Sequence, residues 1–237
     1  MDLKALPSTL PIVRMIEPGL IEGMTQFVRM SVIALHRHLP GYISCQRRAV
    51  WRPQSFKPAA ETCVGFLGLG VLAKASIDKL RPLGFRLLGW SRSDAKIKGV
   101  DCYAGADGLP YFLRQCSILV CLLPLMSDTA GILDARLFSQ LPSGACLINC
   151  GRGGHLDANA LLEALDSRQL SAAFLDMTDP EPLSSDSPLW AHEGVLITPH
   201  IASMTRPETA VGVVLDNIRR HRQGLPMTSA VQQDRGY

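Results

Sequence analysis

From residue 62 onward, short apolar runs alternate with amphipathic segments along the chain. The apolar runs predict six strands, at residues 63–68, 85–90, 117–123, 145–150, 172–176 and 195–198. Each run is bounded by Gly, Pro or Asp, as expected for short strands that are covered on both faces. The segments between them predict helices at residues 71–83, 135–141 and 157–169. This alternation predicts the α/β class, with a doubly wound parallel sheet.

The first 61 residues do not follow this alternation. Residues 10–15 predict one strand, and residues 20–39 predict a long helix. One face of this helix carries an apolar stripe, and its opposite face is polar. The apolar face therefore packs either on the helix's own domain or on a second subunit. Residues 40–61 predict a long connector. Near the other end of the chain, residues 207–222 predict a further helix.

Composition narrows the classes of partner. The chain has 237 residues, of which 47% are hydrophobic, and this is enough for a large core in one or two domains. The net charge is only +3, and no basic stripe is interleaved with aromatics, so we expect no nucleic-acid partner. We also expect no membrane span and no signal peptide, and therefore a cytoplasmic location. The seven cysteines form no Cys-x-x-Cys pair, which predicts reduced, buried thiols and no metal site.

The turn after the first predicted strand carries two glycines, Gly68 and Gly70, followed by Ala73. Gly68 allows a tight turn, Gly70 leaves room for a pyrophosphate, and Ala73 lets helix and strand pack closely. The N–H groups of Val71 and Leu72 begin the helix, at the positive end of its dipole. The pattern predicts a Rossmann-type NAD(P)-binding domain, and a purely structural turn is the alternative.

The end of the second predicted strand indicates which dinucleotide is bound. Ser91, Arg92 and Ser93 stand where an acidic residue would accept the ribose 2′-hydroxyl. A carboxylate would repel a 2′-phosphate, whereas serine and guanidinium bind it through charge-assisted bonds of about 1.5–3 kcal/mol each. We therefore predict NADP(H) as the cofactor. A surface arginine without this role is the alternative.

Arg152, Glu181 and His200 follow three later strands, at the sheet edge where open parallel sheets bind ligands. Hydride addition to a carbonyl creates an alkoxide that needs a proton donor, and histidine serves at neutral pH. A neighbouring carboxylate orients the imidazole, and a guanidinium holds and polarises a 2-oxo acid. Taken singly, each residue has a structural alternative: Arg152 as a helix cap, Glu181 as a solvated turn residue and His200 as a core histidine. Together they predict a 2-oxo acid reductase.

The same stretches resemble the NAD-domain signatures of the D-isomer-specific 2-hydroxyacid dehydrogenases. The matching segments are Gly-Phe-Leu-Gly-Leu-Gly-Val-Leu at 65–72, Leu-Leu-Pro at 122–124, Ile-Asn-Cys-Gly-Arg-Gly-Gly-His at 148–155, Leu-Asp-Met at 175–177 and Ile-Thr-Pro-His-Ile-Ala at 197–202. Trp-Ser-Arg-Ser at 90–93 and Ser-Pro-Leu-Trp at 187–190 resemble the glyoxylate/hydroxypyruvate reductases of that family. The resemblance runs from about residue 10 to the C-terminus.

The resemblance implies reduction of glyoxylate or hydroxypyruvate to glycolate or glycerate with NADPH. It implies that Arg152 binds the substrate and that His200, paired with Glu181, donates the proton. It also places Asp176 beside the nicotinamide. Further cofactor contacts implied by the resemblance are Leu123, Pro124, Cys150, Gly151 and Ala202. Gly151 replaces the usual alanine of the family, and we interpret His155 and Trp190 as packing residues.

Family members carry a whole substrate domain before the long helix. We therefore predict that residues 1–18 are a remnant of that domain, residues 19–205 the NADP-binding domain, and residues 206–237 a C-terminal helix and tail. The long helix predicts a homodimer. Trp51 either reaches a neighbouring subunit's pocket, as an aromatic does in related reductases, or packs on its own domain, which we favour.

With one wall of the cleft absent, we expect the chain to bind NADP(H) but to turn over poorly. The alternative is a module without turnover that senses NADP(H) or contacts a partner protein, because a fold alone does not establish an activity.

Overall fold

The computed structural model describes residue 7 and residues 11–231. The strands are β1 (Cys63–Leu67), β2 (Arg86–Ser91), β3 (Asp101–Ala104), β4 (Ile118–Cys121), β5 (Ala145–Asn149), β6 (Leu170–Leu175) and β7 (Val195–Ile197). The helices are α1 (Pro18–His36), α2 (Leu39–Arg47), α3 (Val71–Leu80), α4 (Gly105–Leu113), α5 (Ala135–Phe138), α6 (Ala158–Asp166) and α7 (Pro207–Arg222). Short 3-10 turns connect several of them.

The strands form one parallel sheet in the order β3-β2-β1-β4-β5-β6-β7. The chain winds outward from β1 to β3 on one side and from β4 to β7 on the other. This confirms the doubly wound α/β fold. Because the winding reverses between β1 and β4, a crevice opens there at the carboxyl ends of the strands, which is where such sheets bind ligands.

The sheet interior explains why the strands were predictable. Every residue of β1, β4 and β5 is buried, and each strand is apolar except for Asn149 at the end of β5. The prediction missed β3 and α4. β3 is a four-residue edge strand with no fully buried position, so its hydrophobic signal is weak. The predicted cap of α6 is confirmed, since Asp157 Oδ1 accepts the N–H groups of Asn159 and Ala160 at 3.0 Å.

The predicted helix at residues 20–39 is in fact two helices, and part of the predicted connector is helical. α1 ends at His36, and His38 has a left-handed backbone with φ 57° that turns the chain into α2. Pro40 suits the first turn of α2, where its missing N–H is not needed. The connector therefore begins after α2.

Trp51 lies in this connector and is 97% exposed, so our expectation that it packs on its own domain was wrong.

The described residues divide into two compact units, one of residues up to 24 and from 203 onward, the other of residues 25–202. In the first unit, Glu17 is buried and accepts the N–H groups of Gly19 and Leu20 at 2.6 and 2.7 Å. It also accepts hydrogen bonds from the Arg206 N–H and the Thr209 hydroxyl. This one carboxylate thus joins the first turns of α1 and α7. The boundaries predicted at residues 18/19 and 205/206 stay predictions.

Two other sequence predictions concern the first unit. α7 matches its prediction at residues 207–222. The predicted strand at residues 10–15 is reduced to a single bridge between Val13 and Ala230, and Leu10 lies outside the described residues.

Within residue 7 and residues 11–231, no helix is long and apolar enough to cross a membrane, and no cluster of His, Cys, Asp or Glu could hold a metal ion. All seven cysteines are free, and all except Cys102 are buried. Burial raises the pKa of the Cys121 thiol to about 12 and that of Cys150 well above its usual value. These thiols therefore behave as small core side chains.

Candidate dinucleotide and substrate site

The glycine turn between β1 and α3 is shaped for close approach of a ligand. Gly68 has a left-handed φ of 93°, and a Cβ there would lie 3.2 Å from the Leu122 carbonyl oxygen. A Cβ at Gly70 would meet nothing within 4 Å, so the space above the first turn of α3 is open. The N–H groups of Val71 and Leu72 lie in that turn, where a helix leaves donors without intrahelical partners. The turn therefore fits a pyrophosphate.

The neighbouring strand end carries the predicted 2′-phosphate residues. β2 pairs with β1 in register, with Leu67 beside Trp90, so Ser91 ends β2 next to the glycine turn. The Ser91 hydroxyl donates to the Ser93 carbonyl at 2.7 Å and holds a tight turn. Arg92 and Ser93 are exposed on it. Serine and arginine thus occupy the strand end where an acidic residue would select NAD(H).

Glu181 and His200 form a direct pair, with His200 Nδ1 2.9 Å from Glu181 Oε2. The other carboxylate oxygen accepts the Thr178 N–H at 3.2 Å. Burial raises the pKa of Glu181, but the hydrogen bonds from His200 and Thr178 and the charge of Arg152 outweigh it, so the pKa lies below its usual value. The ionised carboxylate holds the Nδ1 proton and leaves Nε2 for a ligand.

Asp176, at the end of β6, is buried and organises the turn that carries His200. Its Oδ1 accepts the Thr198 hydroxyl at 2.6 Å and the Ile201 N–H at 2.9 Å, and its Oδ2 accepts the Ala202 N–H at 2.9 Å. The Asp176 carbonyl accepts the His200 N–H at 2.9 Å. His200 itself has a left-handed φ of 55°, a conformation that the surrounding bonds must maintain. The carboxylate therefore positions His200 through the backbone.

The loop after β5 brings Arg152 towards this pair. Arg152 Nη1 donates to the Gly151 carbonyl at 2.6 Å, and the Arg152 charge influences Glu181. A Cβ on Gly153 would lie 1.9 Å from the Thr178 carbonyl oxygen, so the Arg152 loop lies directly against the backbone of the Glu181 loop. The structure therefore brings together the three predicted catalytic residues.

The remaining predicted cofactor residues lie between the two clusters. Leu123 and Pro124 follow β4, where the Thr129 hydroxyl donates to the Pro124 carbonyl at 2.6 Å. Cys150 follows β5, is buried, and donates its N–H to the Cys121 carbonyl at 3.1 Å. Because β4 and β5 lie between β1 and β6, these residues lie between the glycine turn and the His200 turn along the sheet edge. The Ser91 turn is separate from the cluster of Arg152, Glu181 and His200, because β2 lies four strand spacings, or about 19 Å, from β6.

Sequence reasoning missed two contributions to the site and misjudged one residue. The close contact at Gly153 was not predicted, although a Gly-Gly pair directly after Arg152 was a visible signal. His155 is fully buried, as expected for a packing residue, but it also bonds to the Arg152 backbone. Trp190 is 53% exposed and donates to the Ser184 carbonyl, so it is not the packing residue that we expected.

A doubly wound parallel sheet with this glycine turn and this cluster of Arg152, Glu181 and His200 is typical of the nucleotide-binding domain of a dehydrogenase. The family model of the D-isomer specific 2-hydroxyacid dehydrogenase NAD binding domain matches residues 29–202, and the chain belongs to this family.

Relatives of known structure and name agree with this assignment. The chain is 38% identical over 232 residues to glyoxylate/hydroxypyruvate reductase A of Salmonella typhi, covering 98% of this chain and 74% of the relative. It is 40% identical, with a TM-score of 0.94, to a D-isomer specific 2-hydroxyacid dehydrogenase of Xanthobacter autotrophicus Py2 solved with NADPH and MES, covering 98% of this chain and 96% of that chain.

A third relative is the NADPH-dependent glyoxylate/hydroxypyruvate reductase of Sinorhizobium meliloti, solved with NADP and sulfate. It is 37% identical, with a TM-score of 0.90, covering 98% of this chain and 74% of that chain.

Proposed function

We propose that this chain binds NADP(H) and reduces a small 2-oxo acid, with glyoxylate and hydroxypyruvate as substrates and glycolate and glycerate as products. The observation that carries the proposal is the 2.9 Å pair of Glu181 and His200, on a turn held by Asp176 and beside the Arg152 loop. The Glu181 carboxylate orients the imidazole and the buried Asp176 carboxylate holds its turn, so a proton donor is fixed at the edge where the sheet binds its ligand.

The residues present fit NADP(H). The open space at Gly70 and the unpaired donors of the α3 first turn suit the pyrophosphate, and Ser91 with Arg92 suits the 2′-phosphate. Relatives that were solved with NADPH or NADP support the choice of cofactor. When bound, NADPH supplies the hydride.

The protein residues supply binding, orientation and a proton. The Arg152 guanidinium holds the carboxylate of the 2-oxo acid and polarises its carbonyl. As the carbonyl carbon gains the hydride, its oxygen becomes an alkoxide and takes the proton from His200 Nε2. Glu181 keeps the imidazole oriented and stabilises its charge before the proton leaves.

Loss of NADPH absorbance on addition of glyoxylate or hydroxypyruvate tests this function. We expect Arg152→Ala to lower kcat/KM by at least about 100-fold, because two charge-assisted hydrogen bonds of about 1.5–3 kcal/mol each are removed. Arg136→Ala, an exposed arginine of α5, serves as the control and retains the activity of the unaltered chain. An Arg152→Ala variant with unchanged kcat/KM would contradict the proposed substrate role.

Cofactor preference tests the Ser91 turn separately. We expect Arg92→Ala to weaken NADPH binding by about 10- to 150-fold, the equivalent of one charge-assisted bond of about 1.5–3 kcal/mol, with little change for NADH. Ser91→Asp places a carboxylate at the strand end and shifts preference towards NADH. Fluorescence titration with both cofactors measures the two effects. Equal losses for NADPH and NADH would show that the turn does not contact a 2′-phosphate.

Solvent exposure at the site favours a second candidate, a cofactor-binding module with little turnover. The side chains of His200 and Glu181 are 47% and 39% exposed, so water screens the charges that catalysis needs. We expect kcat below the usual range of about 1–10³ s⁻¹. Tight NADPH binding without oxidation by any 2-oxo acid would favour the module, whereas an ordinary kcat would rule it out.

We further propose a homodimer in a reducing, cytoplasmic compartment. Exposed apolar side chains cluster on α1, α2 and the connector: Met30, Ile33, Leu39, Tyr42, Trp51 and Phe56. Such a patch on a surface marks an interaction site. Free cysteines support the reducing compartment. The molar mass from light scattering tests the dimer.

A further inference from the structure

His155 is a buried histidine that the proposed mechanism leaves without a role. It ends the 3-10 turn Gly153–His155, is fully buried, and accepts the Arg152 N–H on Nδ1 at 2.9 Å. Its ring also fills the space beside Gly151, where a Cβ would lie 2.8 Å from Nδ1. The imidazole therefore touches the backbone on both sides of the peptide that leads into Arg152.

The Arg152 N–H indicates where the imidazole proton lies. Nδ1 is 2.9 Å from the Arg152 nitrogen and 3.1 Å from the Arg152 carbonyl oxygen. Because a backbone N–H can only donate, we assign Nδ1 as its acceptor and place the proton of His155 on Nε2. Burial lowers the pKa of His155, and although the Pro124 and Arg152 carbonyls act against this, the pKa stays below its usual value. The ring is therefore neutral at physiological pH.

The other ring nitrogen of His155, Nε2, is buried too. Among the described residues it has no hydrogen-bond partner. A buried donor of this kind is rare unless its orientation serves a purpose.

We propose that His155 is a positioning residue, whose buried imidazole holds the Arg152 backbone through Nδ1 and fixes the loop after β5. The inference rests on the proposed function, in which Arg152 binds the 2-oxo acid. Without the Nδ1 acceptor, the partly buried Arg152 N–H loses its hydrogen-bond partner, and the loop moves to find another. The guanidinium then no longer lies where the substrate carboxylate binds.

Two substitutions separate positioning from packing. His155→Asn keeps an acceptor where Nδ1 lies but loses volume, whereas His155→Leu keeps volume but loses the acceptor. We expect His155→Leu to raise the KM for glyoxylate by about 10-fold or more, with NADPH affinity within about 2-fold. We expect His155→Asn to restore most of the loss. Thermal unfolding of both variants shows whether each is folded at the assay temperature.

The reverse order, with His155→Leu fully active and His155→Asn impaired, would show a packing role only and overturn the inference. If neither variant folds, or if the unaltered chain does not oxidise NADPH and the proposed function fails, NMR of the unaltered chain decides. Long-range ¹H–¹⁵N spectra showing the neutral Nε2–H form between pH 6 and 8 support the assignment, and an Nδ1–H or doubly protonated ring overturns it.

Discussion

Replacing His200 with glutamine is expected to lower kcat for glyoxylate reduction by about 10²–10⁴-fold, the range that a positioned acid contributes. Glutamine can still reach Glu181, but it has no proton to release to an alkoxide at neutral pH. NADPH affinity should stay within about 2-fold, because the glycine turn and the Ser91 turn lie on other strands. Steady-state NADPH oxidation and fluorescence titration measure the two quantities.

His221 provides the control for this substitution. It is exposed on α7, in the unit that does not carry the site, so His221→Gln should leave kcat unchanged. A His200→Gln variant that retained the kcat of the unaltered chain would show that His200 is not the proton donor. The alkoxide would then have to take its proton from water.

Replacing Gly153 with alanine is expected to damage both stability and turnover. The added Cβ would lie 1.9 Å from the Thr178 carbonyl oxygen, 2.1 Å from its carbonyl carbon and 2.6 Å from the Asp179 nitrogen. These are backbone atoms, so no side-chain rotation relieves the overlap. We expect a loss of about 1–3 kcal/mol in the free energy of unfolding. Separating the two loops by about 1 Å should reduce kcat/KM by about 100-fold.

Gly212 is a matched control for this prediction. It lies within α7, and a Cβ there would meet nothing within 4 Å. Gly212→Ala should therefore leave activity unchanged and raise stability by up to about 1 kcal/mol, because alanine favours a helix interior. Thermal or denaturant unfolding and NADPH oxidation are measured for both variants. If Gly153→Ala unfolded at the same midpoint as the unaltered chain and kept its activity, the two loops would not be in contact.

The fold was predictable because its signals are local. β1, β4 and β5 are buried on both faces, so each appears in the sequence as an apolar run, with Asn149 at the end of β5 as the exception. Where burial is partial, the signal is lost, and β3 escaped prediction for this reason. The break between α1 and α2 was missed because the left-handed backbone at His38 is not a hydrophobic pattern.

The arrangement of the candidate site was only partly predictable. The sequence by itself determined which residues lie at the carboxyl ends of the strands: a glycine pair after β1, Ser91 and Arg92 at the end of β2, and the charged residues after β5, β6 and β7. Parallel strands then bring these ends to one edge, whatever the details of the loops.

Only the tertiary structure decided how those side chains meet. The 2.9 Å contact of Glu181 with His200 and the carboxylate of Asp176 shared among three donors each join different loops or turns. No periodicity encodes such contacts, because they depend on how loops pack after the sheet has formed. They arise from close backbone approach, as at Gly153, and from buried donors and acceptors that must find partners.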